Sequence, residues 1–217
     1  MSPGHHGGVA ALPACGPAGT YAADVTEQEA IPEPFSRAMT SLRAVRLRPE
    51  VELDEAPAPQ RLAPFAVALT ADVVVHGDEL ATGRFVVLHE PDGHETWDGD
   101  FRVVTFARAS LDVEMATDPV LTGVGWAWLL EALAEHGADF RAPSGTVTRV
   151  ASESFGAMAD RPATAELEVR ASWTPLDDDL GIHLAAWSDL LCTAGGLPPV
   201  PPGVVPLTQP RRGLSAR

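Results

Sequence analysis

The sequence predicts an α+β domain with an antiparallel sheet of five to six strands and three helices, in the order α-β-β-β-β-α-β-β-α. Two observations lead to this fold class. Segments in which apolar residues recur at every second position follow one another through short turns, as in antiparallel hairpins. Segments with helical spacing stand apart from these hairpins, whereas a parallel sheet needs a crossover, usually a helix, between strands.

The first predicted elements are a helix and a short strand. Apolar residues recur at helical spacing over residues 35–45, and Pro49 ends this helix. Val51 and Leu53 then alternate with acidic residues, which predicts a short strand at the edge of the sheet.

Three further strands are predicted to form an antiparallel meander. The first spans residues 65–75, with its apolar side chains on one face, and a loop follows at residues 77–79. The second spans residues 84–90 and is apolar on both faces. A Pro-Asp-Gly turn at residues 91–93 leads into the third strand, residues 101–107.

The second helix has clear end markers. Asp118 is expected to cap it, Pro119 to occupy its first position and Gly137 to end it. Trp126 and Trp128 lie within this helix, and their spacing of two residues points them to different sides. One of the two tryptophans must therefore leave the centre of the buried stripe.

A second hairpin is predicted to join residues 145–155 to residues 163–173, with Pro175 ending the latter strand. The former strand is half polar, which is typical of a sheet edge; the alternative is that it lines a polar groove. Its hydroxyl-bearing face carries Thr146, Thr148, Ser152 and Ser154.

The third helix completes the fold. Residues 177–179 are all aspartate and precede its N-terminus, where negative charge is favourable. Gly195 and Gly196 end it. His183 lies in its first turn; an acid/base role is one interpretation, but the ordinary expectation is a histidine exposed to solvent.

The domain is predicted to span residues 34–197. Residues 1–33 are rich in Gly, Ala and Pro without sustained periodicity, and residues 198–217 are rich in Pro. Both ends are therefore predicted to be disordered tails.

The charge balance argues against two classes of partner. The formal net charge is −15, from 30 acidic and 15 basic residues, so that nucleic acid and anionic membranes are not expected partners. Every basic residue is Arg, while Lys and Asn are absent, which indicates a GC-rich genome. The choice of Arg over Lys therefore carries no information about anion recognition.

The cysteines and the absence of targeting segments predict a cytoplasmic protein. Cys15 and Cys192 are far apart in the sequence, and Cys192 is expected to be a buried apolar side chain. No apolar run is long enough to span a membrane, and no secretory signal is recognisable.

The most prominent polar cluster contains His89, His94 and Asp98. A helical zinc site needs two histidines four residues apart, whereas these are five apart with a predicted turn between them. No catalytic, cofactor-binding or metal-binding residue is therefore assigned, and no cofactor is expected. An enzyme of unrecognised class that uses this cluster, with Arg161, is an alternative.

The apolar residues exceed what one layer of helices would bury. One explanation is that helices cover the sheet on both sides; the other is an exposed groove for a partner segment or for a second copy. The candidate partner surface consists of Trp126, Trp128, Val104 and Phe106.

Four stretches carry a family resemblance: RPEVELDEAPAPQRLAPFAVAL (48–69), GRFVVLHEPDGHETWDGDFRVVTFARASLDVEMATDPVL (83–121), RPATAELEVRASWTP (161–175) and HLAAWSDLLCTAGGLP (183–198). Over nearly all of residues 35–207 they resemble an actinobacterial family known as domain of unknown function 3000. The resemblance implies a cytoplasmic actinobacterial protein and no particular activity, cofactor or catalytic residue. Apart from the extra strand at Val51 and Leu53, the element order is also similar to that of small acidic type III secretion chaperones.

Together these observations predict a non-enzymatic protein-binding or adaptor domain, resembling a chaperone, with a protein partner or a second copy of itself on its apolar surface. The enzyme described above and a binder of small ligands in a Trp-lined cavity are the alternatives.

Overall fold

A computed structural model describes residues 30–59 and 61–200 and contains one six-stranded antiparallel sheet and three helices. The element order is the predicted one, and the strands lie side by side in the order β1-β2-β3-β4-β6-β5. The helices and strands are α1 (Glu33–Ala44), β1 (Val51–Ala56), β2 (Phe65–Val75), β3 (Asp78–His94), β4 (Gly99–Leu111), α2 (Leu121–Glu135), β5 (Phe140–Ser152), β6 (Thr164–Pro175) and α3 (Leu180–Ala194).

All three helices lie on one side of the sheet, which we call the helix face. Alternate strand residues point towards it, and Phe85, Val103 and Trp173 are completely buried there. Trp187 of α3 packs against Phe85, with ring centroids 5.6 Å apart. The main hydrophobic core therefore lies between the helices and this face.

The side chains at the intervening positions form the opposite side, which we call the open face. Among the described residues no helix covers it. The segment between β1 and β2 covers one end, where Ala58 and Ala63 pack with Trp97 over Val86 and Leu88. Of the two explanations for the apolar excess, that of helices on both sides is therefore wrong within the described part of the chain.

The second helix begins slightly later than predicted. The carboxylate of Asp118 accepts a hydrogen bond from the backbone N–H of Val120 at 2.9 Å, and α2 starts at the next residue. Gly137 has φ +64°, as expected of a residue that ends a helix. His136 caps the helix and bonds Asp189 of α3 at 2.7 Å, which raises the pKa of the histidine.

Strand β3, which was predicted to span residues 84–90, is longer than predicted at both ends. It starts at Asp78 because the chain turns tightly at His76 and Gly77, which have φ +55° and +93°. It also passes through the predicted Pro-Asp-Gly turn, since its pairing with β4 shifts after His89 and resumes at His94. The real turn is a short 3-10 helix, Glu95–Trp97.

The half-polar strand β5 is at the sheet edge, as predicted. The predicted disordered tails lie almost entirely outside the described residues. Within residues 30–59 and 61–200, none of the helices has the length and apolar character needed to cross a membrane.

Candidate functional site

The open face contains a groove of about 510 Å³ that runs across the central strands. Two cross-strand rows of side chains form it, because β3, β4, β6 and β5 are paired in register. One row is Val86, Val104, Ser172 and Ser144; the other is Arg84, Phe106, Arg170 and Thr146.

The centre of this groove is apolar. Val104 is 38% exposed, which is high for a residue in a central strand. Phe106 is half-buried, and the guanidinium of Arg170 lies over its ring, 5.1 Å from the centroid. This arrangement keeps an aromatic surface and a positive charge side by side.

A buried guanidinium lies at one end of the groove. Arg102 is only 8% exposed and precedes Val104 on the same face of β4. Its two terminal nitrogens donate to Ser144 (3.2 Å), Ser172 (2.7 Å), Thr174 (3.0 Å) and the carbonyl of Ala142 (3.1 Å).

All four acceptors of Arg102 are neutral, and no described carboxylate forms an ion pair with it. Burial lowers the pKa of this guanidinium. Burying a charge is costly unless an opposite charge or strong hydrogen bonds compensate for it. The positive potential of Arg102 is therefore not neutralised within the described structure.

A β-bulge places one of these acceptors. The pairing of β5 with β6 shifts between Arg141 and Ser144, and Ala142 has φ +47°. A left-handed conformation is unusual for alanine and costs of order 1 kcal/mol or more. The bulge turns the Ala142 carbonyl towards Arg102. The strained backbone of Ala142 therefore accompanies its hydrogen bond with this guanidinium.

Two more guanidinium groups flank the groove. Arg84 is exposed and donates to the carbonyl of Pro57 at 2.6 Å, while Arg170 pairs with Glu168 at 2.8 Å. No carboxylate lines the groove itself. The lining of the groove thus contains two guanidinium groups, one of them ion-paired, and no carboxylate, on a chain with a net charge of −15.

The four residues of the predicted partner surface do not form one continuous surface. Val104 and Phe106 line the groove on the open face. Trp126 and Trp128 are half-buried on α2 and pack against the main core at the helix face. A Cβ on Gly145 would lie 2.7 Å from the Trp126 ring, so the absence of a side chain there makes room for this tryptophan.

The alternative enzymatic cluster is not assembled either. His89 is 1% exposed and lies among aromatic rings at the helix face, 4.2 Å from the ring centroid of Phe101. His94 is exposed and stacks on Trp97, while Asp98 pairs with Arg141 at 3.3 Å. No described group of three or more His, Cys, Asp or Glu side chains is arranged to hold a metal ion.

The expectation that His183 is exposed is wrong. Its side chain is completely buried, and its Nδ1 accepts a hydrogen bond from the indole Nε1 of Trp173 at 3.1 Å. Burial lowers the pKa of His183 to about 4. Because α3 lies flat on the sheet, its first turn is inside the core, which helical spacing alone does not reveal. Cys192 is buried, as predicted.

Sequence reasoning missed Arg102. One indication was available: Arg102 stands between Phe101 and Val103 in a strand where apolar residues dominate. Its burial depends on the neighbouring strand β6 and on the bulge in β5, which strand periodicity does not predict.

A second groove, of about 620 Å³, lies between α1 and α3. Arg37, the one guanidinium in its lining, pairs with Glu33 at 2.9 Å and with Asp178 at 2.5 Å, and Asp179 adds a further carboxylate. The open-face groove is the better candidate, because the buried guanidinium at its end has no ion-pair partner among the described residues.

Comparison with known protein families shows that one family model matches most of the chain. The family model described as "Protein of unknown function (DUF3000)" matches residues 31–205. No curated protein and no solved structure matches the chain.

Proposed function

Because this chain belongs to the DUF3000 family, whose description names no activity, we propose a function from the open-face groove. The domain is a non-enzymatic protein-binding or adaptor domain that holds an acidic, partly apolar segment of a partner protein. The observation that carries this proposal is the combination of an exposed apolar centre with three guanidinium groups and no lining carboxylate.

The chemistry of the groove supports an acidic segment. A carboxylate near Ser144 and Ser172 would accept a hydroxyl hydrogen bond and would supply the negative charge that Arg102 lacks. An apolar side chain beside it would cover Val104 and Phe106. Arg170 and Arg84 would attract the segment and favour its association.

The shape of the site favours a polypeptide over a compact small ligand. The groove is open and crosses four paired strands, from β3 to β5, which lie about 4.8 Å apart. Small-molecule sites usually enclose most of their ligand. A segment of several residues fits an open groove of this extent better.

A cytoplasmic location is part of this proposal. It is supported by the free, buried thiol of Cys192, since such cysteines are typical of reducing compartments.

Peptide binding tests the proposal. Two labelled peptides of equal length and equal apolar content, one rich in Glu and Leu and one in Lys and Leu, are titrated with the full chain. Fluorescence anisotropy should show that Val104→Asp lowers the affinity for the Glu peptide about tenfold or more, because this change adds a repelling charge to the apolar centre.

Val124→Asp provides the matched control. Val124 is 37% exposed, compared with 38% for Val104, and lies on α2, away from the open face. Equal affinity of the Glu peptide for both variants would contradict the proposal. A dimer in light scattering that Val104→Asp dissociates would instead show that a second copy occupies the groove.

A further inference from the structure

Six large apolar side chains are exposed at the end of the sheet where β4 and β5 finish. We call this group the end patch. Two of them are methionines, whose flexible side chains adapt to varied partners. The end patch comprises Val113 (44% exposed), Met115 (42%), Val120 (61%), Val124 (37%), Phe155 (74%) and Met158 (49%).

The topology brings the two segments of the end patch to the same end of the sheet. β4 finishes at Leu111, which pairs with Ala165 at the start of β6. β5 finishes at Ser152, which pairs with Thr164 at the same place. The connection from β4 to α2 and the connection from β5 to β6 therefore leave the sheet side by side.

Two hydrogen bonds from the half-buried Arg149 hold the first segment in place. The guanidinium of Arg149 on β5 donates to the carbonyl of Ala116 at 3.1 Å and to that of Asp118. The exposed side chains of Met115 and Val120 flank these carbonyls in sequence. These exposed side chains thus lie on a segment that is hydrogen-bonded to the sheet.

The exposure of the end patch is unusual for its location. Scattered apolar residues are normal on protein surfaces, whereas a group of them on neighbouring segments commonly marks an interaction site. Val120 and Val124 stand one turn apart at the start of α2, and no described residue buries them.

The surroundings of the end patch are acidic. Five exposed carboxylates lie on the two segments, and Arg161 is the only exposed guanidinium there. None of the five forms an ion pair within the described chain. The carboxylates are those of Asp112, Glu114, Asp118, Glu153 and Asp160.

We propose that the end patch is a second docking surface, which takes a basic, apolar segment of a partner protein. The unpaired carboxylates would pair with Lys or Arg side chains around an apolar contact made with the methionines and Phe155. A second copy fits less well, because two acidic rims would face each other in a symmetric contact. With two surfaces of opposite charge preference, the domain can join two different partners.

The test uses the full chain and the labelled Lys/Leu peptide described above as the probe. We expect the Lys/Leu peptide to bind to the full chain. Phe155→Ser should lower the affinity for this peptide about tenfold, since exposed aromatic side chains often carry much of the binding energy. Leu62→Ser is the matched control: Leu62 is 60% exposed on the segment before β2, and its replacement should leave the affinity unchanged. Both positions are largely solvent-exposed, so folding should be preserved.

Amide chemical shifts locate the binding site. The Lys/Leu peptide should perturb residues 113–124 and 155–158, and Val104→Asp should not reduce its affinity, which separates this test from that of the open-face groove. The proposal would be overturned if the peptide did not bind or if Leu62→Ser lowered its affinity as much as Phe155→Ser. Chemical-shift changes confined to other regions would also overturn it. So would a dimer that Phe155→Ser dissociates, since a second copy would then be the occupant.

Discussion

Several polar side chains of this domain are buried with neutral hydrogen-bond partners. Arg102 donates only to hydroxyls and one carbonyl, and His183 accepts from the indole of Trp173. The Nε2 atoms of His89 and His183 and the Nε1 atom of Trp187 are buried without a partner among the described residues. Unpaired buried polar atoms are costly, so these positions depend on the surrounding apolar packing.

The burial of His183 leads to a pH-dependent stability. Its pKa is about 4 in the folded protein and about 6.5 in an unfolded chain, so the unfolded state binds more protons between these values. The contribution of this histidine is complete above pH 6.5 and decreases as the pH falls, by up to about 1.4 kcal/mol per pH unit. Urea unfolding between pH 7 and pH 4.5 should show this decrease.

His183→Gln isolates the effect. Glutamine can accept the hydrogen bond of Trp173 but does not titrate, so the free energy of unfolding of this variant should depend less steeply on pH in the same range. The comparison concerns the slopes and not the absolute stability. Parallel curves for the two proteins would show that His183 does not titrate as burial requires.

Among the elements, α3 packs closely against the sheet. Gly83 on β3 lies beneath this helix, and a Cβ there would be 2.6 Å from the ring of Trp187 and 2.6 Å from the carbonyl oxygen of Phe106. The helix can therefore approach only because β3 has no side chain at this point. Gly123 on α2 has the opposite environment, with no atom within 4 Å of an added Cβ.

This contrast predicts opposite effects of the same substitution. Gly83→Ala should lower the free energy of unfolding by about 1–3 kcal/mol, because the core is overpacked. Gly123→Ala should raise it by about 0.5–1 kcal/mol, because alanine favours an exposed helical position. Urea unfolding measures both. A Gly83→Ala protein as stable as the parent would disprove the close packing of α3 against β3.

For the whole molecule, the net charge of −15 is the dominant electrostatic property. The net repulsion among the carboxylates destabilises the compact state. The described ion pairs are mostly partly exposed, such as Arg170–Glu168, and pairs of this kind contribute little. Repulsion should therefore outweigh attraction.

Screening should then stabilise the protein. Raising NaCl from 20 to 300 mM shortens the Debye length to below about 10 Å and should raise the midpoint of urea unfolding at pH 7.5. The same series in sucrose, which strengthens burial without screening charge, separates the two effects. A midpoint that falls with NaCl would show that attractive ion pairs dominate.

Much of the fold could be predicted because the local pattern of the strands is strong. The alternation over Phe65–Val75 reproduces the bounds of β2, and the hydroxyl-rich face of β5 indicated its edge position. The Pro-Asp-Gly turn was misplaced, because pairing with Gly99 continues β3 to His94. A local turn preference of a few residues is weaker than the pairing of two long strands.

The candidate site was predicted only in part. Val104 and Phe106 do line the groove, whereas Trp126 and Trp128 lie on the other side of the sheet. Alternation along a strand identifies two faces but does not say which of two apolar faces the helices will cover. The prediction therefore joined residues that the fold separates.

Local periodicity, turn lengths and composition were enough to predict the element order, the antiparallel pairing of neighbouring strands and the acidic charge. The tertiary structure was needed to show that all three helices lie on one face, that Arg102 is buried and that His183 lies in the core. These properties depend on side chains distant in sequence: Trp187 fits against Gly83, and residues of β5 and β6 surround Arg102. The same arrangement leaves the groove on the open face exposed and places the end patch where two connections meet.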